Sequence, residues 1–369
     1  DYDIVKAMFA PSTHERLELF HKRFGGYWRF GNIKDYCYLV NPYFPTEAMI
    51  NKMKYFYDKL LFNYPSGQSI ERICACRMFD NVSDDNILIG NGAAELINNL
   101  KYIVGKKIAL TIPSFNEYVR CFPNSEITYI NSKDDNYRLS LNKLKETLNK
   151  VDTLIVISPD NPSGSHLKYG EVIELLDMAK EMDKQVIFDE SFIDFANDSY
   201  TLINDDILNK YPNLIVIKSI SKSYGVPGLR LGVLASGNYE YLDIINRNMP
   251  VWNINSFAEY FLQIFLIYKK DYVYGCSKIK EERNRFYNEL IKISELDVYD
   301  SEANYFMIKL NKSTANEIAE YLLDNNKILI KVLNGKNGFD DKEYIRIAVK
   351  TKEENDYFIQ SIKEYYNKK

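Results

Sequence analysis

The run SISKSYGVPGLRLG, Ser219 to Gly232, sets one lysine between two hydroxyl groups and ahead of a permanent cation. Lys222 follows the apolar stretch NLIVIKSI, so it falls just past the end of a buried strand, where open α/β sheets present their ligands. An amine at that position is a nucleophile and a proton carrier. Ser219 and Ser221 offer hydroxyls, Gly225 and Gly228 let a ligand approach the backbone, and Arg230 supplies a fixed positive charge. Together they suit a phosphate held beside an amine. Taken alone, a lysine between serines after a strand is also an ordinary solvated loop residue.

Other stretches carry compatible chemistry. GNGAAEL, Gly90 to Leu96, follows the strand-like NILIG, and small residues at such a turn leave backbone N–H groups free at the positive end of a helix. As a dinucleotide fingerprint it fails, because Glu95 stands where the third glycine belongs and no P-loop lysine follows. Asp189 ends the apolar run KQVIFD, where an unpaired carboxylate is costly and a cationic partner is expected. Capping of the next segment, by Asp189, Glu190 or Ser191, is the rival role. PSFNEY places Phe115 and Tyr118 after KKIALTI, and NPSG, Asn161 to Gly164, forms a turn after DTLIVISPD. Arg346 in YIRIAV either points to the solvated face of a strand or forks a carboxylate.

The elements that must position these residues alternate between strand and helix from about Asn86 to Ser236, the pattern of a largely parallel sheet wrapped by helices. After MPVWNINS the pattern changes. Ser256 to Ile293 has a helical period that Gly275 is expected to interrupt, and LDVYD, ANYFMIKL, ILIKVL and YIRIAV alternate with further helices as a second, α+β unit. Thr46 reads as the cap of an amphipathic helix through Leu60.

With 369 residues, 46% of them hydrophobic and 27% charged, the chain is long enough for two domains, and it has no apolar run of membrane-spanning length. A net charge of −4 without a basic stripe excludes nucleic acid and anionic membranes as expected partners. Five dispersed cysteines and three histidines form no metal-ligand spacing, so no metal is expected and the cysteines read as buried free thiols. The chain opens at Asp1 without a signal-peptide pattern, consistent with a trimmed product or a piece of a longer polypeptide, and a cytoplasmic location is expected.

GNGAAEL, PSFNEY, NPSG, Asp189, the Lys222 segment and Arg346, in that order, resemble the class I/II aminotransferases among the pyridoxal 5'-phosphate (PLP) enzymes of fold type I. The likeness is greatest to the branch that holds histidinol-phosphate aminotransferase and threonine-phosphate decarboxylase. It implies a large domain with a mostly parallel seven-stranded sheet between helices, plus a smaller α+β domain. Residues 1–45 would form an N-terminal arm and part of the small domain, 46–250 the large PLP-binding domain, and 251–369 the C-terminal small domain.

The resemblance also implies roles. Lys222 would be joined covalently to PLP, with Asp189 facing the ring nitrogen. Gly92, Ala93, Ala94, Ser219, Ser221 and Arg230 would hold the cofactor phosphate, Phe115 would stack on the ring, and Asn161 would donate to its phenolic oxygen. Tyr64 would reach the phosphate of a partner subunit, which implies a homodimer with sites at the interface. Arg346 would fork a substrate carboxylate. Tyr27, Arg29 and Asn41 to Phe44, on the arm over the mouth, would touch substrate, with simple packing of aromatics as the competing reading.

One position departs from the aminotransferase pattern: Phe192 stands where a tyrosine usually follows the aspartate. Threonine-phosphate decarboxylases are similar to this chain there, with DEAF followed by IDF where this chain has DESFIDF. The expected activity is transfer of an amino group between an amino acid such as glutamate and a small, phosphorylated keto substrate. The alternative is decarboxylation of serine phosphate or threonine phosphate.

Overall fold

Seven apolar runs, separated by helix-forming segments, assemble the sheet on which the Lys222 segment sits. The structure, a computed structural model, describes residues 12–23 and 25–368. A two-residue strand, β1 (Lys34–Asp35), comes first, followed by β2 (Ile87–Asn91), β3 (Lys107–Ile112), β4 (Glu126–Asn131) and β5 (Thr153–Ile157). β6 (Gln185–Asp189), β7 (Leu214–Ser219) and β8 (Leu231–Ala235) complete the sheet, in the order β2-β8-β7-β6-β5-β3-β4. β3 to β7 pair in parallel, and β8 runs against both of its neighbours. The central strands are buried end to end because both faces are covered, and their side chains alternate between two cores. On β7, Leu214 and Val216 enter one core while Ile215 and Ile217 enter the other.

A second sheet forms from the C-terminal part of the chain. β9 (Leu296–Val298), β10 (Tyr305–Leu310), β12 (Lys331–Val332) and β13 (Glu343–Ala348) stand in the antiparallel order β12-β13-β10-β9. Between them, β11 (Ile328–Leu329) pairs in parallel with β1, which fastens the N-terminal segment to the C-terminal one.

Two local expectations need correction. Gly275 interrupts nothing: the helix Lys269–Leu290 runs straight through it. A Cβ there would stand 3.3 Å from the Asn41 amide and from Phe44, so the glycine makes room for the N-terminal segment. Of the cysteines, all free, Cys76 is half-exposed rather than buried. Thr46 caps its helix as expected, accepting from the Met49 N–H, but that helix ends at Tyr55.

Candidate active site

The C-terminal ends of β5, β6 and β7 lie side by side and deliver Asn161, Asp189 and Lys222 to one place. That is the edge of a parallel sheet at which loops leave for opposite faces and a crevice opens. A cavity of about 1360 Å³ fills it. Its wall includes Lys222, Asp189, Asn161, Phe115, Phe192 and Tyr27, and with them Ala93, Ala94, Ser219, Ser221 and Arg230.

Each side chain has a local reason for its position. Asp189 is 4% exposed, and its oxygens accept from Tyr118 Oη at 2.8 Å and from the Ser191 N–H at 2.9 Å. Burial pushes its carboxyl up, and those two hydrogen bonds work against that. Lys222 is half-buried. Burial first, then the positive charges of Arg346 and Arg230, push its ammonium down to about 8, with Asp189 opposing. Gly92 has φ 77°, and a Cβ on it would stand 2.3 Å from the Arg230 guanidinium, so the turn admits the arginine because it carries no side chain. Arg230 itself is in the left-handed region, φ 57°, at the entry to β8.

Arg346 is not on the solvated face. It sits opposite Lys331 and Met307 in the second sheet and reaches back, donating to Asn161 Oδ1 at 2.6 Å and to the Cys37 carbonyl at 2.8 Å. Its guanidinium lies 5.6 Å from the Tyr305 ring centre. Phe192 packs edge-on against the same ring, with ring centres 5.2 Å apart.

Besides Gly92 and Arg346, and Pro42 to Phe44 of the N-terminal segment, three expected residues lie elsewhere than the cavity wall. Asn41 is buried, and its N–H and amide donate to the carbonyls of Lys222 and Ser223 at 3.0 and 2.9 Å. It braces the lysine turn. Arg29 lies over the exposed Trp28 ring at 4.6 Å. Tyr64 is 78% exposed and stacks on Trp252, with ring centres 4.3 Å apart. Tyr27 does reach the cavity, yet it also stacks on Tyr38 at 5.0 Å and donates to the Phe20 carbonyl, as packing would have it.

Sequence reasoning passed over the roles of Tyr118 and Tyr305. Tyr118 lies one turn into the helix Asn116–Cys121, a spacing that was visible but pointed to no partner. Tyr305 had no signal apart from its strand.

The residues present fit PLP. Ser221 Oγ and Arg346 Nε are buried without a hydrogen-bond partner, an arrangement that calls for an acceptor or donor from a ligand. Asp189, a buried carboxylate at the end of a strand, has room for a protonated ring nitrogen, and Lys222 is the amine beside it. A mostly parallel sheet flanked by helices, with a half-buried lysine and a buried aspartate at its carboxyl edge, defines a PLP-dependent enzyme of fold type I. The chain belongs to the family described as aminotransferase class I and II, which matches residues 36–362.

Within that family the chain is 34% identical to the L-serine phosphate decarboxylase of Campylobacter jejuni, over 90% of this chain and 88% of that protein. The solved structure of a decarboxylase from Sulfurospirillum multivorans superposes with a TM-score of 0.81 at 32% identity, covering 92% of this chain and 90% of that one. The histidinol-phosphate aminotransferase structure from Clostridium acetobutylicum superposes with a TM-score of 0.82 at 26% identity, over 91% and 99%.

Proposed function

We propose that the protein is a PLP-dependent decarboxylase of a phosphorylated amino acid, serine phosphate or threonine phosphate, and not the aminotransferase that the breadth of the resemblance first favoured. The observation that carries this reading is Phe192. It supplies no hydroxyl near the reacting amine, in a chain whose likeness to an L-serine phosphate decarboxylase extends over nine-tenths of its length.

Bound in the cavity, PLP supplies an aldehyde for amine linkage and a protonated ring that accepts an electron pair. The chain's own residues do the rest. Asp189 keeps a positive ring nitrogen favourable in a buried setting. Gly92, Ala93, Ala94, Ser219, Ser221 and Arg230 would hold the cofactor phosphate, Phe115 would stack on the ring, and Asn161, whose Oδ1 accepts from Arg346, would offer its amide to the phenolic oxygen. Arg346 pairs with the substrate carboxylate, and Lys34 and Lys350 on the outer wall offer cations to the substrate phosphate. The Cα–carboxyl bond breaks, carbon dioxide leaves, and the electron pair left on Cα takes a proton from Lys222. Tyr27 and Phe192 limit water at the mouth and beside the lysine.

The exposed Tyr64–Trp252 stack supports a homodimer in which Tyr64 serves the neighbouring site. The test of the activity is direct. Incubation with O-phosphoserine or O-phosphothreonine should release carbon dioxide and leave a phosphorylated amine, while glutamate should leave the cofactor unchanged. Conversion of the cofactor to its pyridoxamine form by glutamate, without carbon dioxide from either phosphoamino acid, would restore the aminotransferase reading.

A further inference from the structure

Next to the lysine turn lies a buried ionic chain that the reaction just described leaves unused. Lys218, on β7, is 1% exposed. Its ammonium is 2.9 Å from Asp194 Oδ2 and 3.5 Å from Glu190 Oε1. Burial alone would push this ammonium down, but the two carboxylates outweigh it and hold the group above the ordinary lysine range. Glu190 is committed to a neighbouring loop, where it accepts from Thr201 Oγ1 and the Leu202 N–H. Asp194 is turned toward the lysine turn instead. The oxygen that meets Lys218 also accepts a 2.8 Å hydrogen bond from Ser223 Oγ.

The turn itself is held at a hydroxyl, at an aromatic ring and at two carbonyls. Ser223 Oγ accepts from Tyr272 Oη at 3.1 Å, and Tyr272 stacks on Tyr224 with ring centres 4.2 Å apart. Asn41 ties down the carbonyls of Lys222 and Ser223. Lys218, Asp194 and Ser223 are not among the residues lining the cavity, and their polar atoms are engaged with one another. Burying these charges costs several kcal/mol each before pairing, and apolar residues of similar volume often hold a core as well or better. What an apolar set could not do is anchor a hydroxyl on the residue next to Lys222.

We infer that Asp194, held by Lys218, is a positioning residue for Lys222: through Ser223 Oγ it keeps the lysine backbone still while the amine is linked, released and returned to the reacting carbon. This rests on the reading of Lys222 as the residue that carries cofactor and proton. A lysine with a long flexible stem performs both tasks only if its Cα stays in place, since a displacement of about 1 Å can cost up to about a hundredfold in rate.

Ser223→Ala cuts the link at one atom, and Asp194→Asn keeps the side chain's shape without its charge. In the cofactor-free protein, arylation of Lys222 by trinitrobenzenesulfonate, read by peptide mass mapping against pH, reports the position of the amine. Arg346 from β13, Arg230 from the entry to β8 and Asp189 from β6 face it. A lysine that drifts from the two arginines should show a midpoint raised by about half a unit or more in both variants. In the holoenzyme with O-phosphoserine, kcat should fall about tenfold at unchanged KM. More turnovers should also end with the nitrogen on the cofactor. Those turnovers would yield an aldehyde in place of the phosphorylated amine.

Ser223→Thr, which keeps the hydroxyl, should restore both readouts. Unchanged midpoint and unchanged kcat in Ser223→Ala overturn the inference, and so does a lowered melting temperature with both readouts intact. If Ser223→Ala does not fold, Asp194→Asn is read in its place by the same criteria. Failure of the unaltered protein to turn over O-phosphoserine would count against the proposed activity alone, because the arylation midpoint judges the positioning role without any substrate.

Discussion

The surroundings of Lys222 set it apart from an ordinary lysine. An ordinary lysine is almost wholly protonated at neutral pH, and this one is pushed down to about 8 by burial, Arg346 and Arg230. The neutral amine attacks, so PLP uptake by the cofactor-free protein should fall about tenfold per pH unit below that value and level off above it. Stopped-flow absorbance against pH checks this. Arg346→Gln removes one of the positive charges, so the midpoint should move up, and KM for the phosphoamino acid should rise about tenfold or more with the loss of the charged fork. Tyr118→Phe removes a donor from Asp189. Its carboxyl should then rise further, and PLP affinity should weaken by about 1 kcal/mol, roughly fivefold, in an equilibrium titration.

At the scale of elements, two features make stability testable. Gly225, φ 67°, ends the lysine turn where a Cβ would stand 1.7 Å from the Phe44 carbonyl. Gly225→Ala therefore cannot be accommodated without shifting that backbone, and it should lower the melting temperature by several degrees and impair PLP binding together. The helix Gln68–Cys76 buries Glu71, whose carboxyl is pushed up to about 7 by burial and by Glu259. A carboxyl raised in the folded state favours its protonated form there. Its contribution is therefore fully present below the usual glutamate range and is lost as pH rises through about 7. Glu71→Gln should raise the melting temperature by a few degrees at pH 8 and leave it nearly unchanged at pH 5, as calorimetry at the two values would show.

Across the whole molecule, the question is whether one chain completes a site. Tyr64 and Trp252 expose a stacked aromatic pair outside the cavity of their own chain. If Tyr64 serves a neighbouring subunit, Lys222→Ala and Tyr64→Ala should each be nearly inactive alone. Mixing them with subunit exchange should then recover up to about a quarter of the activity, through hybrid dimers with one intact site. Sedimentation should show a dimer. Mixed subunits that exchange yet stay inactive would place Tyr64 outside the neighbouring site.

Much of the site was legible because its residues stand at the ends of strands. Lys222, Asp189 and Asn161 each follow an apolar run long enough to be a buried strand, and parallel strands bring their carboxyl ends to one edge whatever the helices between them do. The turn at Gly92 was legible for a similar local reason, as small residues between a strand and a helix.

Other features depended on packing between distant segments. Asn41 braces Ser223 across 182 residues of sequence, so its role could be seen only once the N-terminal segment was laid against the lysine turn. The face presented by Arg346 was decided the same way: alternation along β13 allows either side, and Asn161 and the Cys37 carbonyl chose the inner one. Gly275 reads as a helix breaker from its own propensity, and tertiary contact with Asn41 and Phe44 overrode it. Sequence alone determined the chemistry at the strand ends, because local pattern places those residues. Tertiary structure alone decided which partners orient them, because hydrogen bonds and ion pairs across the fold leave no periodic trace in the chain.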